Sequence, residues 1–241
     1  SLALPALADG QHTVVVTARD RDGNGAPSAP RSFGIDATPP IPPAPKTPAP
    51  GAVLRASALA FTTAPATDAI SAVASSSLTV DGKPATLDAF GHLLGTKLAD
   101  GAHSWSTGAV DAAGNAAASP AVPFTLDDVA PRVTILASHR VRVAGRGVRV
   151  KLRASEPGRA TITLSATKKP ARRLHLRLRK GVAVLGRVEV ALSGAAQTVT
   201  LRVKKATLRR LRHARGLRLR VTVTVADGAG NHRSVVLAGR S

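Results

Sequence analysis

The chain has 241 residues, no cysteine and only five aromatic residues, four Phe and one Trp. The lack of cysteine excludes disulfides, thiol catalysis and cysteine-based zinc sites, and any core must be built mainly from Val, Leu, Ile and Ala. Residues 1–131 hold 7 Lys and Arg against 11 Asp and Glu, whereas residues 132–241 hold 27 against 3. This asymmetry indicates that the two parts of the chain have different partners.

A repeated segment organises the chain. Residues 7–40 and 98–131 align without a gap, and 14 of the 34 aligned positions are identical. A looser third copy spans residues 216–237, and all three copies contain a D-x-x-G-N sequence. Matched segments at intervals of about 100 residues are typical of small domains arranged in tandem.

Each copy predicts a strand followed by a hairpin. Apolar residues alternate with polar ones before each D-x-x-G-N sequence, which indicates a strand with one buried face. The predicted buried residues are His12, Val14, Val16 and Ala18 in the first copy, His103, Trp105, Thr107 and Ala109 in the second, and Leu219, Val221, Val223 and Val225 in the third. The Asp can accept backbone N–H bonds and the Gly can adopt positive φ, so the segment predicts a chain reversal.

The sequence L-x-D-G-x-H, followed by A-x-D-x-x-G-N, then F-x-[IL]-D and a proline, resembles the last two strands of bacterial Ig-like and fibronectin-III-like repeats. Residues 59–97 resemble the front half of the same repeat, with Phe61 where those domains often carry a core Trp and Val80-Asp81-Gly82 as a strand and turn. The resemblance implies an all-β fold of tandem Ig-like/fibronectin-III-like antiparallel β-sandwiches, one partial and two complete. It does not identify a ligand, because this fold supports many unrelated functions.

Four segments follow from this interpretation. Residues 1–38 are the C-terminal half of an Ig-like repeat, which we expect to pair with the next domain or to fray in isolation. Residues 39–50 hold seven prolines and predict a stiff polyproline II linker, with a Pro-rich ligand as the alternative. Residues 51–128 form an Ig-like/fibronectin-III-like domain, and residues 129–241 form a basic Ig-like domain.

Cations alternate with apolar residues in the basic domain, so we expect them on the outer faces of its sheets. Strands are predicted around Val148–Ala154, Leu174–Leu178 and Leu217–Val223, and a short amphipathic helix crossing between the sheets is predicted at residues 204–214. The candidate polyanion-binding residues are Arg149, Lys151, Arg153, Arg177, Arg179, Arg218 and Arg220. Like charges opposite one another in a sheet are unfavourable, which favours an anionic partner; the alternative is an Arg-rich composition that serves solubility alone.

Asp20, Asp22 and Asn24 fit the opening of a calcium loop. The twelfth position is Arg31 rather than Glu, and the second copy lacks the middle oxygen donor, so we interpret the loop as a structural hairpin and keep calcium as the alternative. A second candidate cation site is the Asp127-Asp128 pair near Asp111. His12 and His103 are predicted to hydrogen-bond a loop at a sheet corner.

We predict a non-catalytic structural and adhesion segment of an extracellular or cell-surface bacterial protein, with the Ig-like repeats acting as spacer and interaction module. No catalytic motif is present, no helix-turn-helix, zinc finger or RNP motif predicts sequence-specific nucleic-acid binding, and no apolar run approaches the length of a membrane span. The expected partners are neighbouring domains of a longer chain and anionic cell-surface polymers. The alternatives are a polyanion-binding module for cell-wall polymer or lipopolysaccharide, and an accessory part of a large secreted hydrolase.

Overall fold

The computed structural model describes residues 6–136, 143–144, 147–213 and 217–240. Its elements divide between two compact units, one formed by residues 1–52 with 59–125 and the other by residues 53–58 with 126–241. Every strand pairing in the described part of the chain is antiparallel, which confirms the all-β prediction. None of the helices in those ranges has the length and apolar character that a membrane crossing requires.

The elements before residue 127 are short strands and one 3-10 turn. They are β1 Gly10–Val14, β2 Thr17–Arg19, β3 Gly25–Pro27, β4 Arg31–Ile35, β5 Pro45–Thr47, β6 Ala52–Leu54, the turn Ala56–Ala58, β7 Thr62–Thr63, β8 Val73–Val80, β9 Lys83–Pro84, β10 Gly101–Asp111, β11 Ala116–Ala118 and β12 Val122–Leu126. The largest sheet has the order β6-β12-β10-β8-β9, with β11 also pairing β10.

The first repeat copy forms two small antiparallel strand pairs, β1 with β4 and the hairpin of β2 with β3. The single strand predicted from His12 to Ala18 is instead broken after Val14, and the Val16 side chain is 65% exposed rather than buried. The reason is that alternation buries a face only when a second layer covers it.

The Pro-rich stretch 39–50 differs from the predicted linker, because β5 within it pairs with β7. The indole N–H of Trp105 also donates a 3.1 Å hydrogen bond to the carbonyl of Pro48. A proline has no backbone N–H to donate, but its carbonyl can still accept a hydrogen bond. It can therefore occupy an edge strand, at a position where the backbone nitrogen faces away from the neighbouring strand. The stretch is therefore part of a folded unit.

Aromatic rings form the core of the first unit. Phe61 packs edge-on against Trp105 with ring centroids 5.1 Å apart and against Phe124 at 6.0 Å. All three side chains are buried, at 1–3% exposure, so the prediction that Phe61 occupies a core position is confirmed. The predicted turn is also found, since Asp81 and Gly82 both have positive φ between β8 and β9.

The second unit is a two-layer sandwich. Its elements are β13 Val133–Ile135, β14 Val143–Ala144, β15 Gly147–Ala154, β16 Pro157–Thr167, α1 Lys168–Arg173, β17 Val182–Ser193, β18 Gln197–Arg202, α2 Lys205–His213, β19 Arg218–Ala226 and β20 His232–Arg240. One sheet has the order β13-β15-β14, with β18 also pairing β15, and the other has the order β17-β16-β19-β20. This division of strands matches an Ig-like sandwich in which the second sheet carries an added edge strand.

On β15 and β19, buried and exposed residues alternate as the sequence predicted. Their inward residues, such as Leu152 and Val223, are fully buried in one continuous core. The predicted helix is α2, which joins β18 to β19 across the two sheets and buries Leu208 and Leu211. Residue 214 of that prediction lies outside the described residues.

Residues 174–178 are not a strand. They form a loop after α1, a helix that the sequence did not predict, although Leu174 is buried and the residues on either side of it are exposed. His175 adopts a positive φ of 50°, which turns the chain away from any strand path. Alternating burial here comes from packing on the core without sheet hydrogen bonds.

Candidate functional site

The three D-x-x-G-N hairpins have the same local structure. In each, Oδ1 of the Asp accepts the backbone N–H of the Asn four residues later, at 2.8 to 2.9 Å, and the Gly before that Asn has φ between 86° and 95°. The residues are Asp20, Gly23 and Asn24; Asp111, Gly114 and Asn115; and Asp227, Gly230 and Asn231. The hairpin interpretation of this motif is confirmed.

The asparagine side chains differ between copies. In the first copy, Nδ2 of Asn24 donates only to its own Asp20, at 3.1 Å. In the second, Nδ2 of Asn115 donates to the backbone carbonyl of Asp36 at 3.0 Å. In the third, Nδ2 of Asn231 donates to the carbonyl of Asp127 at 2.7 Å. Residues 36 and 127 are aligned positions of the repeat, so the same contact forms twice.

Carboxylates gather beside each of these two contacts. The first acidic cluster is Asp36, Asp68 and Asp111, and the second acidic cluster is Asp127, Glu156 and Asp227. Within each cluster, one oxygen from every carboxylate lies within 4.8 Å of the others. Two members of each cluster are repeat-equivalent, since 36 aligns with 127 and 111 matches 227 in the hairpin motif.

Some cluster oxygens are held by local amides and others have no donor. Oδ1 of Asp36 accepts the N–H of Thr38 at 3.0 Å, and Oδ1 of Asp227 accepts the N–H of Asn231 at 2.9 Å. The Oδ2 atoms of Asp36 and Asp227 each expose less than 1 Å² to solvent and have no hydrogen-bond partner. Buried polar atoms are normally paired, so an unpaired carboxylate oxygen in each cluster is unusual.

Asp111 is the most deeply buried member, at 2% exposure. Burial alone would raise the pKa of its carboxyl group, but the hydrogen bonds from the Asn115 side chain and backbone outweigh burial and lower that pKa below its ordinary value. The group is therefore ionised at neutral pH, and negative charge is fixed at the first acidic cluster.

The predicted cation candidates Asp111 and Asp127 each have acidic neighbours within their own unit. Asp127 clusters with Glu156 and Asp227, and Asp111 clusters with Asp36 and Asp68. In the predicted calcium loop, both Asp20 oxygens accept hydrogen bonds from Asn24, and the backbone N–H of Asp22 also donates to Oδ1. These bonds, led by the Asn24 side chain, lower the pKa of Asp20.

Sequence reasoning named Asp111 and Asp127 as cation candidates but missed Asp36, Asp68, Glu156 and Asp227. Asp68 and Glu156 lie outside the repeated segment, and each is brought to its cluster only by tertiary packing. The repeat alignment carried a signal for the other four, because acidic residues recur at matched positions after the last strand and at the start of the hairpin.

The two corner histidines lie where the sequence predicted. Nε2 of His12 contacts the carbonyl of Ala8 at 2.7 Å, and Nε2 of His103 contacts that of Ala99 at 2.8 Å. His103 has a further partner, because its Nδ1 lies 2.8 Å from Oδ2 of Asp81. Burial opposes protonation of His103, but the hydrogen bond to the Asp81 carboxylate raises its pKa above the ordinary value.

The seven candidate polyanion-binding residues are all exposed but fall into three groups. Arg149, Lys151 and Arg153 lie on β15 in one sheet, whereas Arg218 and Arg220 lie on β19 in the other. Arg177 and Arg179 lie in the loop between α1 and β17. The outward faces of the two sheets of a sandwich point in opposite directions, so these residues do not form one surface.

In the strand pairings that the structure describes, the cations on β15 face threonines. Arg149 pairs with Thr200, Lys151 with Thr198, and Arg153 with Thr134. The repulsion between opposed like charges that the sequence suggested is therefore absent from these three pairs, and threonine separates the charged positions. We name Arg149, Lys151 and Arg153 the β15 cation row.

No family model matches the chain, and no curated protein sequence matches it. Among solved structures, it is similar to the fibronectin(III)-like modules of Clostridium thermocellum CbhA, with 14% identity, a TM-score of 0.42, and coverage of 82% of this chain and 93% of that one. It is also similar to a tetra-tandem repeat in the extending region of a large adhesion protein, with 20% identity, a TM-score of 0.36, and coverage of 97% and 57%.

A third similar structure is the FN1–FN3 segment of chicken CNTN1, with 14% identity, a TM-score of 0.37, and coverage of 96% of this chain and 75% of that one. The fold assignment rests on the strand order and the cores described above. On that basis the second unit is an Ig-like β-sandwich that follows a unit built on the same repeated hairpin.

Proposed function

We propose that the chain is a non-catalytic structural segment of an extracellular or cell-surface bacterial protein, in which Ig-like repeats act as spacer and interaction module. The observation that supports this proposal is the recurring bond from a hairpin asparagine to a backbone carbonyl, Asn115 to Asp36 and Asn231 to Asp127. Each bond connects the hairpin of one repeat copy to the residue after the last strand of the preceding copy.

A carbonyl acceptor suits modules that follow one another in series. Every residue supplies a backbone carbonyl, so the acceptor does not depend on which side chain the preceding copy carries. The donor asparagine belongs to a motif that also folds its own hairpin. The same motif thus folds its own hairpin and binds the segment that leads into the same compact unit.

Single-molecule force spectroscopy tests this mechanical role. The whole chain is placed between marker domains of known unfolding force and pulled from its ends. We expect a separate unfolding event for each of the two compact units, and a lower unfolding force for the sandwich of residues 126–241 in Asn231→Ala. Extension with no resistance beyond that of an unfolded chain would contradict a structural role.

The β15 cation row supports a second function, binding of an anionic polymer. Its members are exposed at every second position of the strand, which spaces the charges by about 6.8 Å along one line. The second unit holds few acids to neutralise them, and the ion pair found in the part of this unit that the structure describes, Arg187 with Glu189, lies on the other sheet. A line of cations without facing carboxylates attracts a polyanion.

Heparin chromatography tests the second function with matched variants of the whole chain. We expect retention at physiological salt, and a triple variant of the β15 cation row to glutamine to lower the slope of log affinity against log salt by about one per cation removed. The control is Arg218→Gln with Arg220→Gln, on the other sheet, which should change the slope less. Elution of the parent below physiological salt, or equal effects of both variants, would contradict a site at the β15 cation row.

A further inference from the structure

We propose that the second unit binds a phosphate monoester group, in a cavity between α1 and the start of β19. The cavity has a volume of about 350 Å³, which lies within the range of sites that hold small organic ligands. Four cations line it, namely Lys168, Lys169, Arg173 and Arg218. The site goes beyond the proposed functions, because it includes no residue of the β15 cation row.

One end of the sheet β17-β16-β19-β20 positions the cavity. Thr167, which also lines the cavity, is the last residue of β16, and α1 follows it directly. Ala166 pairs with Leu219 on the neighbouring strand β19. Arg218, one residue before Leu219, therefore lies at the same end of the sheet as Thr167.

The helix α1 supplies the other three cations. Pro170 is buried and anchors the helix on the core, whereas Lys168, Lys169 and Arg173 are exposed. Lys169 and Arg173 are four residues apart and therefore share one side of the helix. A cavity between this side and the start of β19 thus receives cations from two elements.

The three acids of residues 132–241 lie far from the cavity. Glu189 pairs with Thr161, six residues before Thr167 on β16, and Glu156 and Asp227 lie beside the first residues of that strand. At about 3.4 Å per residue, these positions are about 20 Å and 30 Å from Thr167 along the strand. Both distances exceed the Debye length of about 8 Å at physiological salt, so these acids do not neutralise the cations of the cavity.

The cations of the cavity are also without ion pairs. Between residues 157 and 226 the sequence holds 18 Lys and Arg and a single acid, Glu189, whose carboxylate lies 2.8 Å from Arg187. None of the four cavity cations takes part in an ion pair found in the part of the chain that the structure describes. Like charges around one cavity repel one another, and an anion bound among them relieves that repulsion.

The types of cation favour a phosphate monoester over a carboxylate. A phosphate monoester carries a charge of about −1.5 to −2 at pH 7 and three acceptor oxygens, whereas a carboxylate carries a single charge. Arg173 and Arg218 offer planar forks of donors that match phosphate oxygens, and lysines act as mobile point charges. The hydroxyl group of Thr167 makes no capping hydrogen bond to α1, so it can donate to a phosphate oxygen as well.

The lining of the cavity favours an organic ligand over inorganic phosphate. Pro170 and Leu217 are buried and line the cavity from the side of the core. The carbon stems of lysine and arginine add apolar surface beneath their charged ends. Because apolar surface is best removed from water, we expect the phosphate group to be joined to a compact apolar or ring-shaped body. Such a group occurs in soluble phosphate esters and in lipid headgroups.

Isothermal titration calorimetry of the whole chain with phenyl phosphate tests the proposal. We expect one molecule bound per chain with a Kd below about 1 mM. Inorganic phosphate should bind about tenfold more weakly, because it lacks a ring to cover the apolar lining. Benzoate, which carries a ring but a single charge, should also bind more weakly. A Kd for phenyl phosphate above about 1 mM, or equal affinity for benzoate, would overturn the proposal.

Matched variants separate this site from general basicity. Arg173→Gln should weaken the binding of phenyl phosphate about tenfold or more, because it removes a charge-assisted hydrogen bond. Arg172→Gln is the control, since Arg172 is an exposed neighbour on α1 outside the cavity lining, and it should weaken binding less than about threefold. The triple variant of the β15 cation row to glutamine should bind phenyl phosphate as the parent does. Equal losses in Arg172→Gln and Arg173→Gln, or a loss in the triple variant as large as that in Arg173→Gln, would overturn the proposal.

Two further probes distinguish the sources of the phosphate group. Calorimetric binding of glucose 6-phosphate would assign the site to soluble phosphate esters. Flotation of the parent, but not of Arg173→Gln, with phosphatidylcholine vesicles that contain phosphatidic acid would assign it to a lipid headgroup. Vesicles with phosphatidylglycerol, a phosphate diester of lower charge, are the control and should retain less protein. Binding to neither glucose 6-phosphate nor phosphatidic acid would overturn the proposal.

Discussion

The side-chain amide of Asn115 donates a 3.0 Å hydrogen bond to the backbone carbonyl of Asp36, 79 residues earlier in the chain. The amide of Asn231 makes the equivalent bond to Asp127 at 2.7 Å, across 104 residues. Donor and acceptor occupy fixed positions of the repeat in both cases. The repeated segment therefore supplies both the donor position and the acceptor position of a hydrogen bond between residues far apart in the chain.

Asn231→Ala should destabilise the second unit by about 1–3 kcal/mol, because it leaves the carbonyl of Asp127 without its donor. Asn231 is 7% exposed, so water cannot readily replace the lost bond. Asn24→Ala is the control, since its amide bonds only Asp20 in an exposed loop, and we expect it to change stability by at most about 0.5 kcal/mol. Differential scanning calorimetry measures the stability of both variants. Equal losses of stability in the two would contradict the different roles assigned to Asn231 and Asn24.

Phe61→Ala should destabilise the first unit by about 3–5 kcal/mol, because it opens a cavity among the buried rings. Phe61 is 3% exposed and contacts both Trp105 and Phe124. Phe90→Ala serves as a matched control, because Phe90 is 77% exposed and should contribute within about 0.5 kcal/mol. Urea unfolding followed by the fluorescence of Trp105, the one tryptophan of the chain, reports on this unit. A loss in Phe90→Ala as large as that in Phe61→Ala would contradict the assigned core.

The pair His103 and Asp81 should make the stability of the first unit depend on pH. The folded-state pKa of His103 is raised above 6.5, so its contribution is complete below pH 6.5 and is lost as pH rises through the raised value. Burial opposes ionisation of Asp81, but the hydrogen bond from His103 lowers its pKa below 3.8, and Lys83 acts in the same direction. The Asp81 contribution is therefore complete above pH 3.8 and is lost as pH falls through the lowered value.

The pair of His103 and Asp81 should therefore contribute most to the free energy of unfolding between pH 3.8 and 6.5. The Asp81 side chain is 41% exposed, so solvent screening limits the amplitude to less than about 1 kcal/mol. Asp81→Asn keeps an acceptor for the N–H of Ser104 and removes the charge. Urea unfolding of this variant at pH 5.5 and 8 should show a smaller difference than in the parent, and an unchanged difference would contradict the pairing.

Gly147→Ala should prevent normal folding of the second unit or destabilise it by more than about 2 kcal/mol. A methyl group at Gly147 would overlap the carbonyl oxygen of Leu201, a backbone atom of the paired strand. Gly228→Ala is the control, because no atom lies within 4 Å of its Cβ position. Far-UV circular dichroism during thermal unfolding measures both variants, and a Gly147→Ala midpoint equal to that of Gly228→Ala would contradict the close approach.

Local features of this protein could be predicted from the sequence. Alternation on β15 and β19, the positive-φ turn at Asp81-Gly82 and the helix at 205–213 depend on residues close together in the chain, and the structure confirms each. The hairpin motif belongs to the same class, because Asp and Asn four residues apart satisfy each other within one turn.

The alternation of apolar and polar residues predicted a strand wrongly in two places. Residues 174–178 alternate in burial yet pair with no strand, and the strand predicted through Val16 breaks because that side chain has no second layer above it. In the Pro-rich stretch 39–50 the prediction missed a strand. Its composition indicated a free linker, but β5 within it pairs with β7. In all three cases the outcome depends on a neighbour that is distant in sequence.

The sequence by itself determined the repeat, the all-β fold, the hairpins and the concentration of cations after residue 131, because each is a property of local pattern or composition. Only the tertiary structure decided that Asp68 joins Asp36 and Asp111, that Glu156 joins Asp127 and Asp227, and that the candidate cations lie on different faces. Such groupings bring together residues tens of positions apart, and their spacing is set by how strands pack rather than by any periodicity along the chain.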